Sequence, residues 1–178
     1  MEQDFFAAYL QGKMGESAWR TRALCDRSMM FKLGLPECRV NHELATYGDA
    51  VLKLAYCEIL LDAVDDLTIE KSKYESDVAL IRVAKHYDLL QYLEFDRSNT
   101  QIPQDYRCKR IEPSFSQSKR MHIRKFNRKR KYIATAIEAV LGAIYKEYRD
   151  FSQIVKIVES WKRIIEADTP ADASNTEE

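Results

Sequence analysis

Glycine and proline are scarce in this chain, with five and four in 178 residues. They are the strongest local breakers of regular structure, so their shortage leaves long stretches free to be helical. Long apolar runs are missing too. Nothing approaches the roughly 20 residues that cross a bilayer, and no membrane span is expected. The N-terminal MEQDFFAAYLQGKM opens on acids and lacks the basic start of a secretory leader, so the expected location is the cytoplasm. Cys25, Cys38, Cys57 and Cys108 form no CxxC pair, and His42, His86 and His122 are scattered. This argues against a zinc site or a disulfide frame and for free thiols in a reducing compartment. The segment GKMGES lacks the spacing and preceding strand of a phosphate loop. There is no internal repeat and no Ser/His/Asp arrangement, and no small-molecule cofactor is expected.

What the chain does have is charge, unevenly placed. The formal net charge is zero, yet residues 107–131 hold 11 of the 28 Lys and Arg and one of the 28 acids, Glu112. The rest of the chain is as acidic as this segment is basic. Such asymmetry suggests a polyanion-binding segment on an acidic body.

Apolar periodicity predicts an all-α fold. A short first helix carries Phe5, Phe6, Tyr9 and Leu10. A second runs through ESAWRTRALCDRSMMFKLG until Gly34 and Pro36 break it. Residues 42–63 read as one long buried helix through Leu44, Val51, Leu52, Leu54, Ala55, Ile59 and Leu60. One or two helices follow between residues 65 and 93, with a start near Leu67 and an apolar stripe at Ala79, Leu80, Val83 and Ala84. The polar stretch EFDRSNTQIPQDY is a loop. After the basic segment, strong periodicity returns as two helices parted near Asp150. One domain over 1–166 is expected, with an acidic tail over 167–178 that reads as disordered.

Two acids stand in apolar surroundings, Asp49 in GDAVLKLAY and Glu138 in ATAIEAVLGAIY. A buried carboxylate needs a partner, a proton or a cation. If their helices pack together, both could meet one Mg²⁺, which commonly takes one or two carboxylates and fills its octahedron with water and phosphate. From spacing alone the plainer account stands ahead: Asp49 sits near a helix start and meets the positive end of the dipole.

Four blocks shift that balance. ALCDRS (23–28), NHELATYGDAVL (41–52), SDVALIRVAKHYDLLQYL (76–93) and KYIATAIEAVLGAIY (131–145) resemble, in order and approximate spacing, the ribonuclease III endonuclease domain. The usual forms there are close to ALTHRS, NERLEFLGDAVL, SNxxLARIA and KxxADxFEALIGAIY. The resemblance covers roughly residues 5–166. It implies an all-helical fold, a homodimer, and Mg²⁺-dependent hydrolysis of double-stranded or structured RNA, with Mn²⁺ as a substitute ion. It also implies products with 5′-phosphate and 3′-hydroxyl ends.

The resemblance carries four carboxylates, a pair four residues apart on the earlier helix and a pair three apart on the later one, spacings that share a helical face. Asp49 and Glu138 match one of each pair, as catalytic and metal-binding residues. Ala45 and Thr135 replace the other two. The compact mini ribonuclease III subfamily resembles this chain in the same two replacements and in lacking a double-stranded RNA-binding domain, which places rRNA maturation among the implied roles. Thr46 stands where an aromatic side chain commonly fills a socket on the partner subunit, so any dimer contact here is packed differently. Lys119, Arg120, Arg124, Lys125, Arg128, Lys129, Arg130 and Lys131 are the expected RNA-binding residues, leading straight into the Glu138 helix. The rival reading is a catalytically inactive ribonuclease III-like RNA-binding or ribosome-associated structural protein. A cation between Asp49 and Glu138 favours the enzyme, and salt bridges from those acids to Lys or Arg favour the rival.

Overall fold

The computed structural model describes residues 4–99 and 101–167. They form an α-helical array: α1 Phe5–Leu10, α2 Ala18–Ala23, α3 Ser28–Leu33, α4 His42–Leu60, α5 Leu67–Glu75, α6 Asp77–His86, α7 Gln117–Arg128, α8 Lys131–Tyr148 and α9 Phe151–Ala167. Among the described residues the only β pairing is a single bridge between Cys25 and Glu94. The expected tail, from residue 168 onward, lies outside the described residues, and Ala167 is still helical.

Local chemistry accounts for the helix starts. Asp4, Ser17, Asp66, Ser76 and Ser116 each accept a hydrogen bond from a backbone N–H in the first turn that follows. These caps satisfy donors that have no partner inside the helix. Ser76 explains why 65–86 is two helices: its extended backbone ends α5, and its side chain caps α6. Gly34, at φ 64°, closes α3 in the left-handed region that glycine adopts freely.

Two sequence expectations are corrected. The helix read through ESAWRTRALCDRSMMFKLG is broken at residues 24–27. There the chain turns away to bridge Glu94, with Glu94 N–H donating to Leu24 O and Asp26 N–H donating to Glu94 O. Apolar residues continue across this break, but only the segment before it reaches the core: Ala23 is buried, whereas Phe31 and Leu33 of α3 are 84% and 58% exposed. Leu54, expected in the core, is instead 57% exposed.

At the centre lies α8, which is apolar almost all round and buries Ile133, Ala134, Ala136, Ile137, Ala139, Val140, Leu141, Gly142, Ala143 and Ile144. A helix of that kind must be covered on every side. The helices α2, α4, α6 and α9 provide the cover. On the far side Trp161 of α9 meets Phe6 of α1 edge to face, with ring centroids 5.0 Å apart.

The tightest approach is between α4 and α8. A Cβ added at Gly48 would lie 1.8 Å from the Glu138 carbonyl oxygen, and one added at Gly142 would lie 2.5 Å from the Leu44 carbonyl oxygen. The obstacles are backbone atoms of a packed helix, which cannot swing aside. Gly48→Ala and Gly142→Ala should therefore each destabilise the protein by about 2–3 kcal/mol, the scale of overpacking in a core. Urea unfolding checks this; an unchanged midpoint would show that the helices are not this close.

Candidate active site

The crossing sets where the two acids stand. Asp49 follows Gly48 directly, and Gly48 packs on the backbone of Glu138. Each acid is the eighth residue of its helix, since α4 begins at His42 and α8 at Lys131. Asp49 therefore lies two turns inside α4, beyond the reach of the helix-end dipole. The helix-start account of this residue is corrected: its neighbour is the facing helix, not an N-terminus.

The two carboxyl groups have different surroundings. Asp49 is 37% exposed and pairs with Lys53 one turn later, Nζ to Oδ2 2.7 Å. Glu138 is half-buried and makes no hydrogen bond or ion pair among the described residues. Burial, then the charge of Asp49 and then that of Asp77, push its carboxyl up to about 7, while Lys131 and Lys53 pull it down. Asp77, the first residue of α6, is half-buried and absent from the expected set. Its place at a helix start gave no sign that α6 would deliver it to Glu138. Ala45 is buried and Thr135 half-buried, so neither adds charge.

Do these residues suit a divalent cation? Two hard oxygen donors, one of them desolvated and repelled by the other, suit an ion such as Mg²⁺ that keeps most of its water. No group of three or more His, Cys, Asp or Glu among the described residues forms an enclosed cage. The donor set therefore fits one open-sided cation and not a closed metal centre.

The basic segment divides. Arg130 is buried, with Nε 2.8 Å and Nη2 2.7 Å from Asp105 Oδ1, and it lies 3.9 Å over the Phe126 ring. Burial pushes the Asp105 carboxyl up, and Arg107 and Arg130 more than offset this, holding it low. Arg120 donates to the carbonyls of Phe115 and Pro113, and Lys119 lies 3.7 Å over the Phe115 ring. Arg130 and Arg120 are thus committed to the fold, against the expectation that all eight cations face RNA. Arg124, Lys125, Arg128, Lys129 and Lys131 are exposed. The sequence reading also missed a cleft of about 1390 Å³ lined by Lys73, Arg82, Lys85, Arg107 and Lys109, with the acids Glu70 and Glu166 among them, over a floor that includes Ala79 and Ile81. Those cations lie far apart in the chain, so no run announces them. Ser76 and Val78 on its wall flank Asp77, which joins the cleft to the acid pair.

An all-helical domain with paired acids beside a cationic surface has the parts of a metal-assisted phosphodiester hydrolase. Comparison with known families narrows this: the ribonuclease III domain model matches residues 42–149. The chain belongs to the ribonuclease III domain family. That family is one of endoribonucleases, generally metal-dependent. The fold agrees with the nuclease domain of ribonuclease III from Campylobacter jejuni, at 20% identity over 96% of this chain and 99% of that one, TM-score 0.58. A second structure of that domain, described for structural flexibility in a region involved in dimer formation, aligns at 20% identity over 94% and 99%, TM-score 0.56. No match to a curated protein reaches significance.

The Glu138 environment fixes a sign. With its folded value raised to about 7 against an ordinary 4.5, the folded state holds this proton more tightly than the unfolded chain. The contribution is full below about 4.5 and is lost as pH rises toward 7. In EDTA, the stability difference between wild type and Glu138→Gln should move against wild type across that window. Denaturant titrations at stepped pH measure it, and a flat difference refutes the raised carboxyl.

Proposed function

We propose that the protein is a Mg²⁺-dependent endoribonuclease that cuts double-stranded RNA, with structured RNAs such as rRNA precursors as its substrate class. The observation that carries this is the pairing of Asp49 with Glu138 across the Gly48–Gly142 crossing, within a ribonuclease III domain. Asp49 and Glu138 would hold the ion, which supplies a bound water of lowered pKa and offsets charge on the scissile phosphate. Lys131 sits close enough for its charge to reach Glu138, and Arg124, Lys125, Arg128 and Lys129 lie exposed just before it. These side chains hold the phosphate rows of a duplex and keep the cut phosphate at the acid pair. Thr135, on the same face as Lys131 and Glu138, can orient water without adding charge.

Asp49→Asn should lower duplex cleavage in Mg²⁺ by about 100-fold or more, as loss of a metal-bound nucleophile implies. Duplex affinity measured in EDTA should change little. Wild-type cleavage in the variant would sink the site assignment.

A second reading has an observation of its own. The Lys53–Asp49 pair is the kind of bridge that favours an inactive, RNA-binding relative. Two facts limit it. An exposed i,i+4 pair is worth only about 0.3–0.5 kcal/mol, which a divalent ion readily exceeds. Glu138 also has no such partner. Cleavage of long duplex RNA by wild type in Mg²⁺ and not in EDTA separates the readings.

The proposal includes a homodimer. Thr46, Ala50, Leu54, Cys57 and Leu61 follow one another at four- and three-residue steps along α4 and its C-terminal cap, on one face. Leu54 and Leu61 are 57% and 62% exposed, and the stripe carries no charge. Turned antiparallel on a second copy, it sets Thr46 opposite Leu61 and Leu54 opposite Leu54, a self-complementary apolar contact. Leu54→Glu should convert a dimer to a monomer in sedimentation velocity without lowering helix content. A dimer that survives this change uses another face.

A further inference from the structure

Among the described residues, Lys53 is the side chain that ion-pairs with Asp49, and nothing in the family assignment gives it a task. Its ammonium lies 2.7 Å from Asp49 Oδ2, one turn further along α4. It is about half exposed, so it is free to turn away from Asp49 into solvent or toward a ligand. Its charge also reaches Glu138, as does that of Lys131 on the facing helix. Each crossing helix thus brings one acid and one lysine to the same place. The positions one turn before the acids on α4 and three residues before on α8, Ala45 and Thr135, bring no charge. With Asp77 also bearing on Glu138, three carboxylates face two ammonium groups, a net charge of one negative before any ion arrives. Once a divalent ion is held, the same residues present a net positive face to RNA.

We propose that Lys53 has two successive partners: Asp49 when the site holds no metal ion, and a phosphate of the bound RNA when it does. This rests on the metal-dependent reading above. In the first state Lys53 opposes metal binding, because a divalent ion must displace it from Asp49. In the second it is a phosphate ligand beside Lys131, and it supplies cationic charge at a site with only two carboxylates to recruit metal. No bond is made or broken by Lys53; it moves from one anion to another. That double role distinguishes it from an ordinary helix-surface pair, whose loss alters neither metal nor substrate binding.

Two substitutions test it, Lys53→Met, which keeps the stem and removes the charge, and Lys53→Arg, which keeps the charge. Mn²⁺ affinity of the RNA-free protein is measured by calorimetry. Duplex affinity is measured in Ca²⁺, and single-turnover cleavage at saturating duplex in Mg²⁺. Lys53→Met should bind Mn²⁺ about tenfold more tightly, the effect of one unit charge on a divalent ion a few ångströms away in a water-like medium. It should bind duplex several-fold more weakly and cleave at least tenfold more slowly, with Lys53→Arg restoring both to within a few-fold of wild type. Unchanged Mn²⁺ affinity in Lys53→Met overturns the proposal, and so does wild-type duplex binding in that variant. Wild-type protein that binds Mn²⁺ without cleaving defeats the enzymatic reading, while the affinity comparison still decides the role of Lys53. A wild-type site that binds no Mn²⁺ overturns both.

Discussion

The separation of α4 and α8 is set by Gly48 and Gly142, and most of what the molecule can do depends on it. With hydrogen atoms in place of side chains at these points, the two backbones touch. Helices with ordinary side chains at the contact stand about 8–10 Å apart, and the acids beside such a contact would be screened from each other by its packing. Here the crossing lies directly beside Asp49 and beneath Glu138, so the charge of each is felt by the other. The same contact seats α8 deep enough for α2, α6 and α9 to close round it. Core and site therefore share one constraint.

That arrangement carries an electrostatic cost. Glu138 is desolvated and faces two other acids, and its carboxyl is pushed up to about 7 as a result. A protein under selection for stability alone would place an alanine or leucine there, as it does at Ala134, Ile137 and Leu141 around it. The buried Arg130 shows a contrasting treatment, although the Asn41 amide, the Tyr56 hydroxyl and the Trp161 indole N–H are also buried without a hydrogen-bond partner. Arg130 is almost fully buried but meets Asp105, the Phe126 carbonyl and the Phe126 ring, so each of its demands is met. A half-buried acid with a raised carboxyl and no partner is what the proposed ligand-binding role of Glu138 accounts for.

Helix positions were legible because apolar spacing reports burial, and burial decides most helices here. The division near Asp150 and the long helices bearing Asp49 and Glu138 follow directly from that pattern. The break at residues 24–27 was not, because it is made by a backbone bridge to Glu94, a partner some seventy residues away that leaves no local mark. Leu54 misled for a related reason. An apolar residue reads the same whether it faces the core of its own chain or a surface waiting for another. Asp49 looked like a helix start because Gly48 precedes it, yet the glycine answers to the facing helix. Asp77 and the cationic cleft depend on elements that only the folded chain brings together, so single-chain spacing could not reveal them.

The basic segment is one run of like charge that the fold divides into inward and exposed side chains. Arg120 and Arg130 turn inward and fasten α7, one to the carbonyls of the preceding loop and the other to Asp105. Asn127 ties the same helix to both the N–H and the carbonyl of Lys109. These anchors fix the angle at which α7 runs into α8, and with it the direction of Arg128, Lys129 and Lys131. A freely moving basic loop would attract RNA equally well at long range, but it would lose that freedom on binding and leave the cut phosphate unplaced. Holding the arm by two of its own arginines lowers that loss. In the proposed reading, the two inward arginines are thus what would allow the exposed cations to present RNA to the acid pair.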